Sequence, residues 1–270
     1  MTAQPTASTE PVRYAVTDGV ATITLNRPEA MNSLDVAAKE SLREVVLEAA
    51  ADQDVRCVVL TGTGRAFCVG QDLKEHITIL QSSSAEELFA TVPEHYNPIV
   101  TALATMPKPV IAAVNGVAAG AGASLAFACD IRVAAESAGF NLAFTGVGLS
   151  CDTGASWTLQ RLVGRGKAVE MLYFPRTIPA AESLEMGLVT KVVADADLQQ
   201  DAAQSAAHLA AGPTVAFGAV RRAIAHSAGH DLDSSLSFEA DMMALTGATE
   251  DHEQAVAAFV AKKKPTFHGR

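Results

Sequence analysis

The carboxylate best placed for proton transfer is Asp152, in Gly148-Leu149-Ser150-Cys151-Asp152-Thr153-Gly154-Ala155-Ser156-Trp157. Leu149, Cys151 and Trp157 flank it. Desolvation by such neighbours raises a carboxyl pKa and makes one group usable as a base and then as an acid. A single carboxylate of this kind suffices to move a proton from one carbon to another. The same residue also stands where an Asp would N-cap a helix beginning near Thr153, so a second role competes with the first.

Two glycine-bearing stretches offer backbone groups instead of side chains. Residues 62–72 (Gly-Thr-Gly-Arg-Ala-Phe-Cys-Val-Gly-Gln-Asp) and 116–125 (Gly-Val-Ala-Ala-Gly-Ala-Gly-Ala-Ser-Leu) each follow an apolar run. Glycine there lets the backbone approach a guest closely, although small residues equally suit tight packing of a helix on a sheet. Neither stretch has glycines in the G-x-G-x-x-G order and neither is followed by Lys-Ser/Thr, which argues against dinucleotide and triphosphate cradles. Two N–H donors converging on one oxygen would form an oxyanion hole, each worth ~3–4 kcal/mol as charge develops, and a thioester enolate is a fitting guest.

The remaining candidates carry less. His76 and His95 could approach a site, but scattered histidines are more often surface or satisfied core groups. Cys68 and Cys151 lie beside these loops with no paired base to mark a nucleophile. The four cysteines, Cys57, Cys68, Cys129 and Cys151, show no C-x-x-C pairing and no histidine at metal-ligand spacing, so the expectation is reduced thiols and no metal. A net charge of −10, from 20 basic and 30 acidic side chains, argues against a general nucleic-acid surface. No apolar stretch reaches membrane-spanning length. Residues 1–10 lack the charged and apolar regions of a secretory signal and read as a short disordered tail, so the expected location is cytoplasmic.

The elements that must position these groups follow from local pattern. Residues 12–17 and 20–26 alternate apolar and polar around Asp18-Gly19, a strong hairpin signal. Residues 36–51 read as an amphipathic helix after Asp35, and 55–61 as a buried strand. Residues 73–106 read as helical with a mobile interruption at Ser82-Ser83-Ser84. Further strands are expected at 110–114, 130–134, 140–144 and 188–193, with helices at 121–128, 153–162, 165–173 and 180–186. From 198 onward the pattern is helical throughout, at 198–211, 213–226, 231–245 and 249–261. Strands alternating with helices indicate an α/β architecture. Leu232, Leu236, Met242, Met243 and Phe259 in the terminal helices suit either a self-contained cap or contact with a second subunit.

Arg27-Pro28 with Met31-Asn32-Ser33-Leu34, Phe67-Cys68-Val69-Gly70-Gln71-Asp72-Leu73, Lys108-Pro109-Val110-Ile111-Ala112-Ala113-Val114-Asn115-Gly116, and Gly148-Leu149-Ser150-Cys151-Asp152 together resemble successive motifs of the crotonase (enoyl-CoA hydratase/isomerase) superfamily. The resemblance covers roughly residues 12–268. It implies a crotonase-like spiral of ββα units over 11–195 and a helical trimerisation region over 196–270, in a homotrimer or dimer of trimers. It also implies that the N–H groups of Val69 and Ala121 hold the thioester oxygen of an acyl-CoA, and that Ala66, Gly70, Gln71, Asp72 and Leu73 line the CoA groove. Gly120, Ser124, Phe144 and Leu149 fall beside the acyl group by the same comparison. Coenzyme A enters as part of the substrate, and no other cofactor is implied.

Where hydratases of the family carry two glutamates, this sequence has Ser124 and Phe144. Asp152 instead resembles the proton-shuttling Asp of the family's isomerases, particularly the phenylacetate-degradation branch, which His95-Tyr96-Asn97-Pro98 and Gly120-Ala121-Gly122-Ala123 also resemble. Cys151 and Ala155 depart from the usual Pro and Gly of that branch. Lys262-Lys263-Lys264 resembles a stretch that approaches CoA phosphates, or is a solvated charge run. The expected activity is therefore acyl-CoA isomerisation. Enoyl-CoA hydration and non-catalytic acyl-CoA binding are the alternatives.

Overall fold

The computed structural model describes residues 10–270. The expected tail falls almost wholly outside the described residues. The chain opens with the antiparallel hairpin β1 (Val12–Thr17) and β2 (Val20–Leu25), in which Val12 pairs with Leu25 and Thr17 with Val20. Asp18 and Gly19 both take positive φ, as a two-residue turn between twisted strands requires. Helix α1 (Val36–Ala51) starts where Asp35 caps it, accepting from the Ala38 N–H at 2.8 Å, and buries Ala38, Leu42, Val46 and Ala49.

Two strand systems then alternate. Strand β3 (Cys57–Gly62) is buried throughout and enters the main sheet, whereas the three-residue β4 (Ala66–Cys68) enters a second, smaller one. After α2 (Leu73–Ser82), α3 (Ala85–Phe89), a π-helical turn at Val92–Tyr96 and α4 (Asn97–Thr105), the pattern repeats with β5 (Val110–Val114) and β6 (Val117–Ala119). It repeats again after α5 (Ala121–Ala128), with β7 (Ile131–Ala135) and β8 (Gly139–Asn141). Helix α6 (Ala155–Tyr173), β9 (Ile178–Pro179), α7 (Ala180–Glu185) and β10 (Lys191–Val193) complete the core. The main sheet runs β1-β2-β3-β5-β7-β10, parallel apart from the first hairpin, and the smaller one runs β4-β6-β8-β9. Each ββα unit thus gives one strand to each sheet.

The Ser82–Ser84 segment is a junction between helices. Ser84 caps α3 through a capping box with Glu87, so its hydroxyl and the Glu87 carboxylate satisfy the helix-end donors. Residues 155–173 form one helix with a kink at Gly164, where φ is 76°. Helix α8 (Leu198–Ala210) buries Leu198, Ala202, Ala206 and Ala210 against the main sheet. The chain closes with α9 (Thr214–Ser227), α10 (Leu232–Gly247) and α11 (Glu250–Val260), of which α9 and α10 pack on each other. Large apolar side chains remain on their surface, including Leu232, Met243 and, at 83% exposure, Phe259. No helix among the described residues is long and apolar enough to cross a membrane.

Candidate active site

The two glycine loops meet because their short strands pair. Strand β4 lies parallel to β6, with Ala66 opposite Val117 and Cys68 opposite Ala118. Parallel pairing places both C-terminal ends at one edge, so the chain leaves β4 at Val69 beside the point where it leaves β6 at Gly120. The approach is close. A Cβ added to Gly70, whose φ is +84°, would lie 2.9 Å from the Ala119 carbonyl oxygen and 3.2 Å from the Ala121 nitrogen. A Cβ on Gly122 would lie 2.1 Å from the Cys68 carbonyl oxygen, so only glycine lets the start of α5 rest on β4. Among the described residues, no backbone or side-chain group accepts from the N–H of Val69 or of Ala121. Ala121 is the first residue of α5, where N–H groups have no partner within the helix.

The first loop is held by polar side chains. Leu34 and Gly70 join through the Leu34 N–H and Gly70 carbonyl at 2.8 Å, and Asp72 returns its N–H to the Leu34 carbonyl at 3.1 Å. Asp72 caps α2, accepting from the Lys74 and Glu75 N–H groups through Oδ1, while Oδ2 takes the Arg27 guanidinium at 3.0 Å and the Ser33 hydroxyl at 2.9 Å. Burial alone would raise its pKa, but these hydrogen bonds outweigh burial and hold the carboxyl below its ordinary value. Gln71 accepts from the Tyr96 hydroxyl at 2.8 Å and from the Lys39 ammonium at 3.2 Å.

The second loop is held by backbone and packing. The Gly120 N–H donates to the Asn141 carbonyl at 2.9 Å, and the Gly120 carbonyl accepts both the Ser124 N–H and the Ser124 hydroxyl, each at 3.1 Å. Every residue of α5 is buried.

Asp152 is half-buried in the loop before α6. It does not cap that helix through its side chain. Gly154 occupies the cap position, and among the described residues the Asp152 carboxylate takes only the neighbouring Thr153 hydroxyl, at 2.7 Å. Burial pushes its carboxyl up, against the smaller opposing effect of that hydrogen bond. Trp157 is 45% exposed, and the Arg161 guanidinium lies over its ring, 4.1 Å from the ring centroid. The Tyr96 phenol, which donates to Gln71 in the first loop, is pushed up by burial and then by the nearby Cys68, Asp152 and Glu75.

Comparison with known proteins shows the family and the fold. Residues 15–270 match the model of the enoyl-CoA hydratase/isomerase family. The chain belongs to that family. It is 42% identical over 255 residues to 1,2-epoxyphenylacetyl-CoA isomerase of Escherichia coli K12, covering 94% of this chain and 97% of the relative. It is also 42% identical over 259 residues to a Rhodobacter capsulatus protein named as a probable enoyl-CoA hydratase, covering 96% and 98%. An enoyl-CoA hydratase structure from Bacillus anthracis superposes with a TM-score of 0.90 at 34% identity, covering 96% of this chain and 100% of that one.

Within this enoyl-CoA hydratase/isomerase fold, the other residues singled out from sequence take varied places. Ser124 is fully buried with its hydroxyl spent on Gly120, and Phe144 is buried with its carbonyl accepting from Val147 and Leu149. Leu149 and Val69 are half-buried, and Leu73 is exposed at the start of α2. Ala66 is buried in β4, its carbonyl accepting from the Asn32 and Asn115 side chains at 2.8 and 3.1 Å. Cys68 is an unreactive thiol, pushed up to about 12 by burial, and its sulfur accepts from the Gly70 N–H. His76 lies tilted against Phe89, and Lys262, Lys263 and Lys264 are exposed beyond α11.

Lys39 was not visible as a site residue. Its one signal is position, three residues before Leu42 on the apolar face that Leu42, Val46 and Ala49 define.

Proposed function

We propose that this family member is an acyl-CoA isomerase. The N–H groups of Val69 and Ala121 hold the thioester oxygen, and Asp152 removes a proton from the acyl chain and returns it at another carbon. The observation that carries the reading is the asymmetry of titratable groups: Asp152 is a desolvated carboxylate, while Ser124 and Phe144 stand where two glutamates would activate water. In a β,γ-unsaturated thioester, the Asp152 carboxylate takes the α-proton and the electron pair delocalises onto the carbonyl oxygen. The two backbone donors stabilise that charge in water-poor surroundings. The protonated Asp152 then gives the proton to the γ-carbon, the double bond moves to the α,β position, and no net charge is gained or lost. Its raised pKa serves both halves of this cycle.

Gly70, Gln71, Asp72, Leu73 and Ala66 shape the groove for the coenzyme portion, although the Asp72 carboxylate acts there through Arg27 and the α2 cap. The reading needs no metal or redox group. Ring-derived substrates are supported by the isomerase relative from Escherichia coli. A homotrimer or dimer of trimers is supported by the apolar surface of Leu232, Leu236, Met243 and Phe259, and sedimentation velocity tests it, with a monomer refuting it.

The deciding experiment offers β,γ-enoyl-CoA in deuterium oxide to wild type and Asp152→Asn. Isomerisation, lost in the variant, is expected, with deuterium entering the product in proportion to exchange of protonated Asp152 with solvent before it returns the proton. Hydration of α,β-enoyl-CoA that survives Asp152→Asn would instead favour a hydratase, the activity named for the Rhodobacter relative. Ester binding without exchange would favour a non-catalytic binder.

A further inference from the structure

Three buried cations lie in the core among the described residues. Lys108 donates to the Ala49 and Asp52 carbonyls at the end of α1, and Arg132 to the Leu188 and Cys129 carbonyls, so both are spent on backbone oxygens. Lys39 differs. It is 1% exposed, and its ammonium reaches Gln71 Oε1 at 3.2 Å, Thr91 Oγ1 at 2.8 Å and Glu75 Oε2 at 3.8 Å. The first two contacts are hydrogen bonds, and the third is an ion pair beyond hydrogen-bond distance.

Each partner is tied to something else. Gln71 Oε1 also takes the Tyr96 hydroxyl, Gln71 Nε2 reaches Glu75 Oε2 at 3.5 Å, and Thr91 Oγ1 meets His95 Nδ1 at 3.1 Å. Lys39 can only donate, so the Thr91 hydroxyl accepts from it. Burying an ammonium is costly, and an apolar residue would serve α1 packing as well. The charge sits where one side chain spans α1, the loop after β4 and the π-helical turn.

We propose that Lys39 is a positioning residue for the thioester site: by holding Gln71 against the Thr91–Tyr96 segment, it fixes the Gly70–Gln71 turn and so the direction of the Val69 N–H. The Leu34 backbone braces one side of that turn, and the Lys39, Gln71 and Tyr96 side chains brace the other. The proposal rests on the reading that Val69 holds the acyl oxygen.

The test compares Lys39→Met, Gln71→Leu and the double variant by steady-state kinetics, with melting curves and amide hydrogen exchange. Each single substitution is expected to lower kcat about tenfold with KM within about twofold, because a donor displaced by a fraction of an ångström fails in the transition state more than in binding. The double variant should cost no more than either single one, and amides 69–72 should exchange faster while those of α1 do not. If folded Lys39→Met keeps kcat within about twofold of wild type, or the two effects multiply, the positioning role is overturned. Should Lys39→Met not fold, Gln71→Leu breaks the same contact from its other end, and a kcat within about twofold of wild type in that variant overturns the role equally. Wild-type protein that does not isomerise β,γ-enoyl-CoA would refute the isomerase reading, whereas unchanged exchange at amides 69–72 in the variants would refute the clamp.

Discussion

The two loops proposed to offer N–H groups to the thioester oxygen are built by opposite means. The loop after β4 is braced by charged and polar side chains: Arg27, Ser33 and Asp72 on one flank, and Lys39, Gln71 and Tyr96 on the other. The loop after β6 is braced by backbone hydrogen bonds and by α5, whose residues are buried without exception. Packing against a close-packed interior leaves little freedom. A side-chain network leaves more, and it responds to protonation. The loop after β6 is therefore fixed by shape and the loop after β4 by electrostatics.

Removing the rigid donor should have the largest effect. Ala121 is the first helical residue of α5, a position that tolerates proline, so Ala121→Pro deletes the N–H with little harm to the helix. A fall in kcat of roughly 10²–10³ is expected with CoA-ester affinity and melting temperature nearly kept. An unchanged kcat would remove Ala121 from the oxyanion hole.

Next comes the packing itself. Gly122→Ala would force a methyl against the Cys68 carbonyl and should lower stability by about 1–3 kcal/mol in denaturant titration. On the electrostatic side, Asp72→Ala removes the α2 cap and the partner of Arg27. It should cost about 1–2 kcal/mol in stability, with kcat reduced less than in Ala121→Pro.

The smallest effects are those of pH. Burial and the nearby Lys39 and Arg43 hold His95 below its ordinary pKa, so its network contributes stability above the unfolded-state value, near 6.5, that is lost as pH falls through the folded one. The melting temperature should decline in that window, and less so in Thr91→Val/His95→Gln. Asp152 has the opposite sign for an acid: its raised folded pKa means that ionisation above the unfolded value costs stability, so Asp152→Asn should melt no lower than wild type near neutral pH while losing activity. For the same reason the acid limb of kcat/KM should lie above the ordinary aspartate range.

Much of the fold is legible in sequence. The Asp18-Gly19 hairpin, the buried run at 110–114, the helix at 121–128 and the four terminal helices are set by turn chemistry and apolar spacing, which act within a few residues. The family motifs also mark residues 67–73 and 148–152. Local pattern misses β4 and β6, whose three residues each sit inside glycine loops and have no periodicity long enough to read.

Sequence alone thus determined which groups were available: an isolated carboxylate at 152, glycines at 70, 120 and 122, and no glutamate at 124 or 144. Only the tertiary structure decided that two three-residue strands pair in parallel and so bring Val69 and Ala121 to one edge. It alone decided that Asp152 loses part of its water without becoming a cap, and that Lys39 is buried against Gln71. Strand pairing and desolvation are sums over residues far apart in the chain, and no local spacing encodes them.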